Sequence, residues 1–147
     1  MGRGQGQLVR PHRAGAGLIA LALLLCLTTP ALAKKTGVLF QIDTDSPATW
    51  TVAVHNIRNL QEASRPRKVR IEIIAFGPGL RMLLKTSPVA RDLMTLHRSG
   101  VVIAACKSGV KKQGLRLKDI SAIVRYVPSG IAEIVRRERE GWAYVRP

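Results

Sequence analysis

Short apolar runs, each closed by glycine, proline, serine or a charged residue, alternate with segments of helical periodicity along most of this chain, and that alternation leaves few folds open. Gly37–Ile42 has the composition of a buried strand and ends at Asp43. Ser46-Pro47 then supplies an N-cap and a proline for the first helical position, and Trp50, Ala53, Val54, Ile57 and Leu60 recur at helical spacing. A loop with Pro66 leads to a second strand, Val69–Phe76, closed by the tight Gly77-Pro78-Gly79 loop. Ser87-Pro88 repeats the cap-then-proline start ahead of a helix carrying Val89, Leu93, Leu96 and His97, which stops near Ser99-Gly100. Val101–Ala105 reads as a third strand, the segment around Val110 as a short helix, and Ile123–Val127 as a fourth strand closed by Pro128-Ser129-Gly130. Ser129 caps a final helix expected to turn Ile131, Ile134 and Val135 inward and Arg136–Glu140 to solvent. Gly141 ends it, and Trp142–Val145 is short enough for an edge strand. Strands and helices in this order predict a three-layer α/β/α sandwich around a mostly parallel sheet of about five strands.

In sheets of this kind ligands gather outside the carboxyl ends of the strands. The third strand ends there in Cys106, followed by Lys107-Ser108-Gly109-Val110-Lys111-Lys112. A thiol between a strand end and a helix start, with three lysines close by in sequence, has its ionised form favoured, so the pKa is expected below the free-cysteine value of about 8.5. This makes Cys106 the candidate catalytic residue. A buried structural cysteine that fills space at the end of a core strand is the competing reading. Asp43, Gly77, Gly79, Lys107, Ser129 and Gly130 reach the same end of the sheet and are candidate ligand-binding residues. Each accessory position also has an ordinary structural role open to it, as a cap, a chain reversal or a solvated charge. His55 and His97 sit on predicted helices without metal-ligand spacing, so no metal site is expected. The glycines form neither a dinucleotide-binding fingerprint nor a phosphate loop, and no cofactor is implied.

Arg3, Arg10 and Arg13, the apolar run Leu18–Leu27 and Ala31-Leu32-Ala33 have the order of a cleaved secretory signal, which places residues 1–33 in the signal and 34–147 in the mature domain. The expected location is periplasmic or secreted, with no membrane association after cleavage, because the apolar run is shorter than the roughly 20 residues a spanning helix needs. The signal holds three of the 24 basic residues and none of the nine acidic ones, so the mature domain has 114 residues and a net charge of +12. The basic residues are scattered and no base-stacking or groove-reading motif accompanies them, so no nucleic-acid partner is expected. Within the mature chain Cys106 has no second cysteine to pair with, and stability must come from packing.

Three segments taken together point to a family: Val69–Leu80 with its strand and Gly-Pro-Gly, Gly100–Cys106 with Gly114-Leu115 downstream, and Val127–Arg136 continuing through Glu140–Pro147. In this ordered set the chain resembles the DsrE/DsrF-like family over Val38–Pro147. The resemblance implies a flavodoxin-like sandwich that often assembles as trimers or hexamers, in proteins of sulfur oxidation and of sulfur relay. It also implies that Cys106, at the position of the sulfur-carrying cysteine, accepts sulfane sulfur as a persulfide and exchanges it with a donor or acceptor protein. The chain departs from the cytoplasmic relay proteins in its export signal and in Lys-Ser-Gly-Val after Cys106, where those proteins have an alanine-rich helix start. The expectation is therefore an exported sulfur-carrier or sulfurtransferase-like protein; the alternative is a non-catalytic oligomeric binding or assembly module of the same fold with a structural Cys106.

Overall fold

A computed structural model describes residues 1–2 and 37–147. The expected signal and its cleavage point before Lys34 lie outside the described residues. The elements are β1 (Val38–Ile42), α1 (Pro47–Ala63), β2 (Ile71–Ala75), a 3-10 turn (Gly77–Leu83), α2 (Ala90–Arg98), β3 (Val102–Cys106), α3 (Lys107–Lys112), a short 3-10 turn (Leu117–Asp119), β4 (Arg125–Val127), α4 (Gly130–Arg139) and β5 (Ala143–Val145). All five strands pair in parallel, in the order β4-β3-β2-β1-β5. The fold is an α/β sandwich of the flavodoxin-like kind. Among the described residues no helix is long and apolar enough to cross a membrane.

Strand order and the handedness of parallel crossovers decide which helix covers which face. The chain steps from β1 to β4 in one direction and returns from β4 to β5 in the other, and right-handed connections therefore send α1, α2 and α3 to one face and α4 to the opposite face. Packing agrees. Phe40, Ile42, Ile73, Ala75, Ile103 and Ala105 meet Trp50, Val54 and Ile57 of α1, Leu80 and Leu83 of the first 3-10 turn, and Leu93 and Leu96 of α2 in one large apolar core. Leu39, Ile74, Ala104 and Val127 form a smaller core on the other face with Ile134 and Trp142.

Several local expectations hold and several are corrected. Ser46 caps α1 by accepting from the Thr49 N–H at 3.3 Å with Pro47 in the first turn, and Ser129 caps α4 by accepting from the Ala132 N–H at 3.3 Å. Ser87, in contrast, does not cap a helix: α2 begins at Ala90, and Ser87 Oγ accepts only from the Val89 N–H at 3.4 Å, within a turn. The segment opened by Gly77-Pro78-Gly79 coils into a 3-10 turn, whose Leu80, Met82 and Leu83 need the core that a bare loop would deny them. The fourth strand is shorter than Ile123–Val127.

The largest correction concerns α4. Ile131 and Val135, expected inward, are 57% and 41% exposed, whereas Glu133 and Ile134 are buried and Arg137 turns inward. The cause lies in β2, where Glu72 is fully buried on the α4 side of the sheet. Its carboxylate accepts from Arg125 Nη2 of β4 and Arg137 Nε of α4, each at 2.8 Å, while Arg125 Nη2 also donates to Glu133 at 2.8 Å. A buried carboxylate without such partners carries a large desolvation cost, so the helix is rotated to bring its charges to the sheet.

Candidate functional site

Cys106 is the last residue of β3 and the residue from which α3 departs. Its register partner on β4 is Val127. The connection after β3 goes to the three-helix face and the connection after β4 goes to the α4 face, so the crevice between these strand ends is where the backbone diverges. Ligands of open parallel sheets bind in such crevices.

The surroundings of the sulfur are polar on one side and closed on the other. Cys106 is 7% exposed. Its Sγ lies 3.3 Å from the Ser108 hydroxyl, and as a neutral thiol it donates to the Pro128 carbonyl at 3.8 Å. Burial pushes the thiol pKa up, but the Ser108 hydroxyl and the backbone N–H groups of Gly130, Gly109 and Ser108 favour the anion, and together they hold it below the ordinary thiol value. The thiolate is stabilised by these donors from both sides of the crevice. The expected contribution of Lys107, Lys111 and Lys112 is not among the causes of the shift.

Two glycines allow close approaches at this end of the sheet. A Cβ on Gly130 would meet the Phe76 ring at 2.8 Å, so the start of α4 can lie against Phe76 and face the sulfur only without a side chain there. A Cβ on Gly79 would run into the carbonyl of Ile42 at the end of β1, and the first 3-10 turn could not then lie on that strand end.

The accessory candidates separate. Gly130 contributes its N–H to the sulfur, and Ser129 sets the start of that helix through its cap while its hydroxyl is engaged there. Lys107 is exposed beside Cys106. Gly79 is a packing residue, and Gly77, at φ +52°, makes the turn out of β2. Asp43 follows the end of β1, two strands and therefore about 10 Å across the sheet from β3. Its carboxylate accepts from Arg146 Nη2 at 2.8 Å and from Gln41 Nε2 at 3.0 Å, which ties the C-terminal strand to the sheet. His55 and His97 are exposed, and among the described residues no group of three metal-ligating side chains occurs. Ser108, Gly109 and Pro128 were not singled out from the sequence. A serine two residues after a strand-end cysteine at a helix start was the one legible signal, whereas Pro128 comes from 22 residues away and needed the β3–β4 pairing.

Beside Cys106 an open cleft of about 780 Å³ is lined by α3, the segment that follows it, and Pro128. Ser108 and Pro128, whose hydroxyl and carbonyl lie 3.3 and 3.8 Å from the sulfur, form part of its wall.

Over this frame the chain matches MTH1491, a protein of unknown function from Methanobacterium thermoautotrophicum, at 35% identity and a TM-score of 0.72, covering 77% of this chain and all of that one. The chain belongs to the same family as MTH1491. BT1422 from Bacteroides thetaiotaomicron, a conserved protein of unknown function, shares the fold at 17% identity and a TM-score of 0.61, over 76% of this chain and 95% of that one. No family model and no curated protein matches the chain.

Proposed function

We propose that the protein is an exported sulfur acceptor of the DsrE/DsrF-like kind, in which the Cys106 thiolate takes up sulfane sulfur. The observation that carries this reading is the place of Cys106 at the β3–β4 crevice with its Sγ 3.3 Å from the Ser108 hydroxyl, where the surrounding donors favour the thiolate. The thiolate attacks the terminal sulfur of a persulfide or polysulfide donor. A new Sγ–S bond forms, the donor's S–S bond breaks, and its electron pair leaves on the donor thiolate, giving Cys106 persulfide with no external oxidant. The donors that hold the thiolate then hold the persulfide anion, and an acceptor thiolate removes the sulfur by the same exchange. Assembly into trimers or hexamers and export with cleavage before Lys34 belong to the same proposal.

The near-complete burial of Cys106 favours a second reading, a structural thiol that fills the strand end of a binding or assembly module. Alkylation rate against pH, together with intact mass after incubation with polysulfide, decides between the two. The sulfur acceptor is alkylated in its native state with a midpoint below the ordinary thiol value and gains the mass of one sulfur, and Cys106→Ser gains none while keeping its fold. Protection of Cys106 until unfolding, with no sulfur uptake by the wild type, favours the structural thiol.

A further inference from the structure

The cleft beside Cys106 has a chemistry of its own. Lys107, Lys111 and Lys112 stand along it and form no ion pair with a described residue, and no acidic side chain lines it. Val110, Leu115 and Leu117 supply apolar wall, with Leu117 54% exposed and therefore holding open an apolar surface that the fold itself does not cover. Asp43, Asp45, Glu72, Asp92, Asp119, Glu133 and Glu140 are each in ion pairs with arginines, and none of them pairs with a lysine of the cleft. Unpaired cations call for an anion, and the leucines call for an organic body.

Volume narrows the choice. About 780 Å³, in a cleft open to solvent on one side, is room for a small organic ligand lying against its wall. Inorganic polysulfide would leave most of the cleft unfilled and would not use the leucines.

We propose that this cleft binds a small organic anion bearing a thiol or persulfide, of about tripeptide size, with its carboxylates on Lys111 and Lys112, its apolar part on Leu117 and Leu115, and its sulfur toward Ser108 and Cys106. The inference rests on the sulfur-acceptor reading and names its substrate class. Transfer from such a persulfide follows the exchange given above: the outer sulfur goes to Cys106 Sγ and the organic thiolate leaves with the electron pair of the broken S–S bond.

Binding is separated from transfer by using the Cys106→Ser protein and S-methylglutathione, which carries the carboxylates and cannot donate sulfur. Calorimetry is expected to show saturable one-site binding. Lys111→Gln/Lys112→Gln is expected to weaken it about tenfold and Leu117→Ser about threefold, the double lysine variant also losing the salt dependence of the parent. These residues are on the surface or at its edge, so the fold is expected to survive, and circular dichroism checks it. Absence of saturable binding, or binding that neither variant changes, overturns the inference. Loading of wild-type Cys106 by inorganic polysulfide is read in parallel: loading without cleft binding overturns the cleft inference alone, whereas cleft binding without loading supports the cleft and overturns the sulfur-acceptor reading.

Discussion

The two faces of the sheet solve the same burial problem by different means. On the three-helix face, Ile73 and Ile103 lie under α1, α2 and the first 3-10 turn in an apolar core whose residues are almost wholly withdrawn from water. On the other face a single helix covers a narrower strip, and its contact is as ionic as it is apolar: Ile134 and Trp142 sit beside Glu72, Glu133, Arg125 and Arg137, and the Arg137 guanidinium lies 4.2 Å from the centre of the Trp142 ring. Area drives the first face, whereas the second depends on directional pairing, which fails abruptly when one partner is lost.

Replacing Glu72 by Met is the change expected to do most damage, because it removes the fully buried carboxylate that Arg125 and Arg137 share and leaves Arg137 only Glu133 at 3.5 Å and Glu140 at 3.1 Å. A loss of about 3–5 kcal/mol is expected in urea unfolding, and the double variant Glu72→Met/Arg137→Met is expected to regain at least about 2 kcal/mol of it, since apolar replacement of both partners removes the desolvation cost along with the pairing. Ile73→Ala on the opposite face is expected to cost about 2–5 kcal/mol through lost transfer energy and a cavity, with no partner whose removal restores stability. Additive losses in the Glu72/Arg137 pair would erase the distinction between the faces.

Acid sharpens the contrast. Hydrogen bonding from Arg136, followed by Arg125, outweighs burial at Glu133 and depresses its carboxyl to about 2. Burial raises Glu72, against the opposing charges of Arg137 and Arg125, because two carboxylates share these cations and the drier one ionises less readily. The two groups act in opposite senses. Glu133, with a folded pKa below the unfolded value of about 4.3, contributes stability that is present above that value and lost as pH falls through about 2. Glu72, with a raised folded pKa, contributes in the reverse sense and loses its contribution as pH rises through that folded value. Below the unfolded value of about 4.3 Glu72 no longer contributes to the slope, so stability is expected to fall as pH goes from there toward 2, and Glu133→Gln is expected to remove part of that slope. An unchanged slope would mean that Glu133 is not the group being protonated.

The same contrast explains what could be read before the structure. On the three-helix face α1 was legible residue by residue, since Trp50, Ala53, Val54 and Ile57 recur at helical spacing and all point into one core. The α4 face was misread for the same reason: apolar periodicity alone pointed Ile131, Ile134 and Val135 inward, whereas the helix is oriented by a glutamate on β2 and an arginine on β4, far apart in sequence and brought together only by strand order. Cys106 and Gly130 were legible as strand-end candidates because parallel sheets place their sites there. That Gly130 and Pro128 face the sulfur while Asp43 is taken up by Arg146 follows from which strands are neighbours, and no local pattern carries that.

The smallest effect is expected where the misreading occurred. Ile131 and Val135 lie on the outer side of α4, so exchanging either for Gln removes little area from a core. A change within about 0.5 kcal/mol is expected for each, against about 2–4 kcal/mol for Ile134→Ala, three residues after Ile131 and next to Val135 but in the buried cluster with Ile74 and Val127. Unfolding should be followed at several protein concentrations, because a second copy seated on α4 would bury the same two side chains. A larger loss for Ile131→Gln that appears only at high concentration would show that the thinly covered face is completed by another chain. A large loss independent of concentration would show instead that the side chain is buried within the monomer and that the rotation of α4 is wrong.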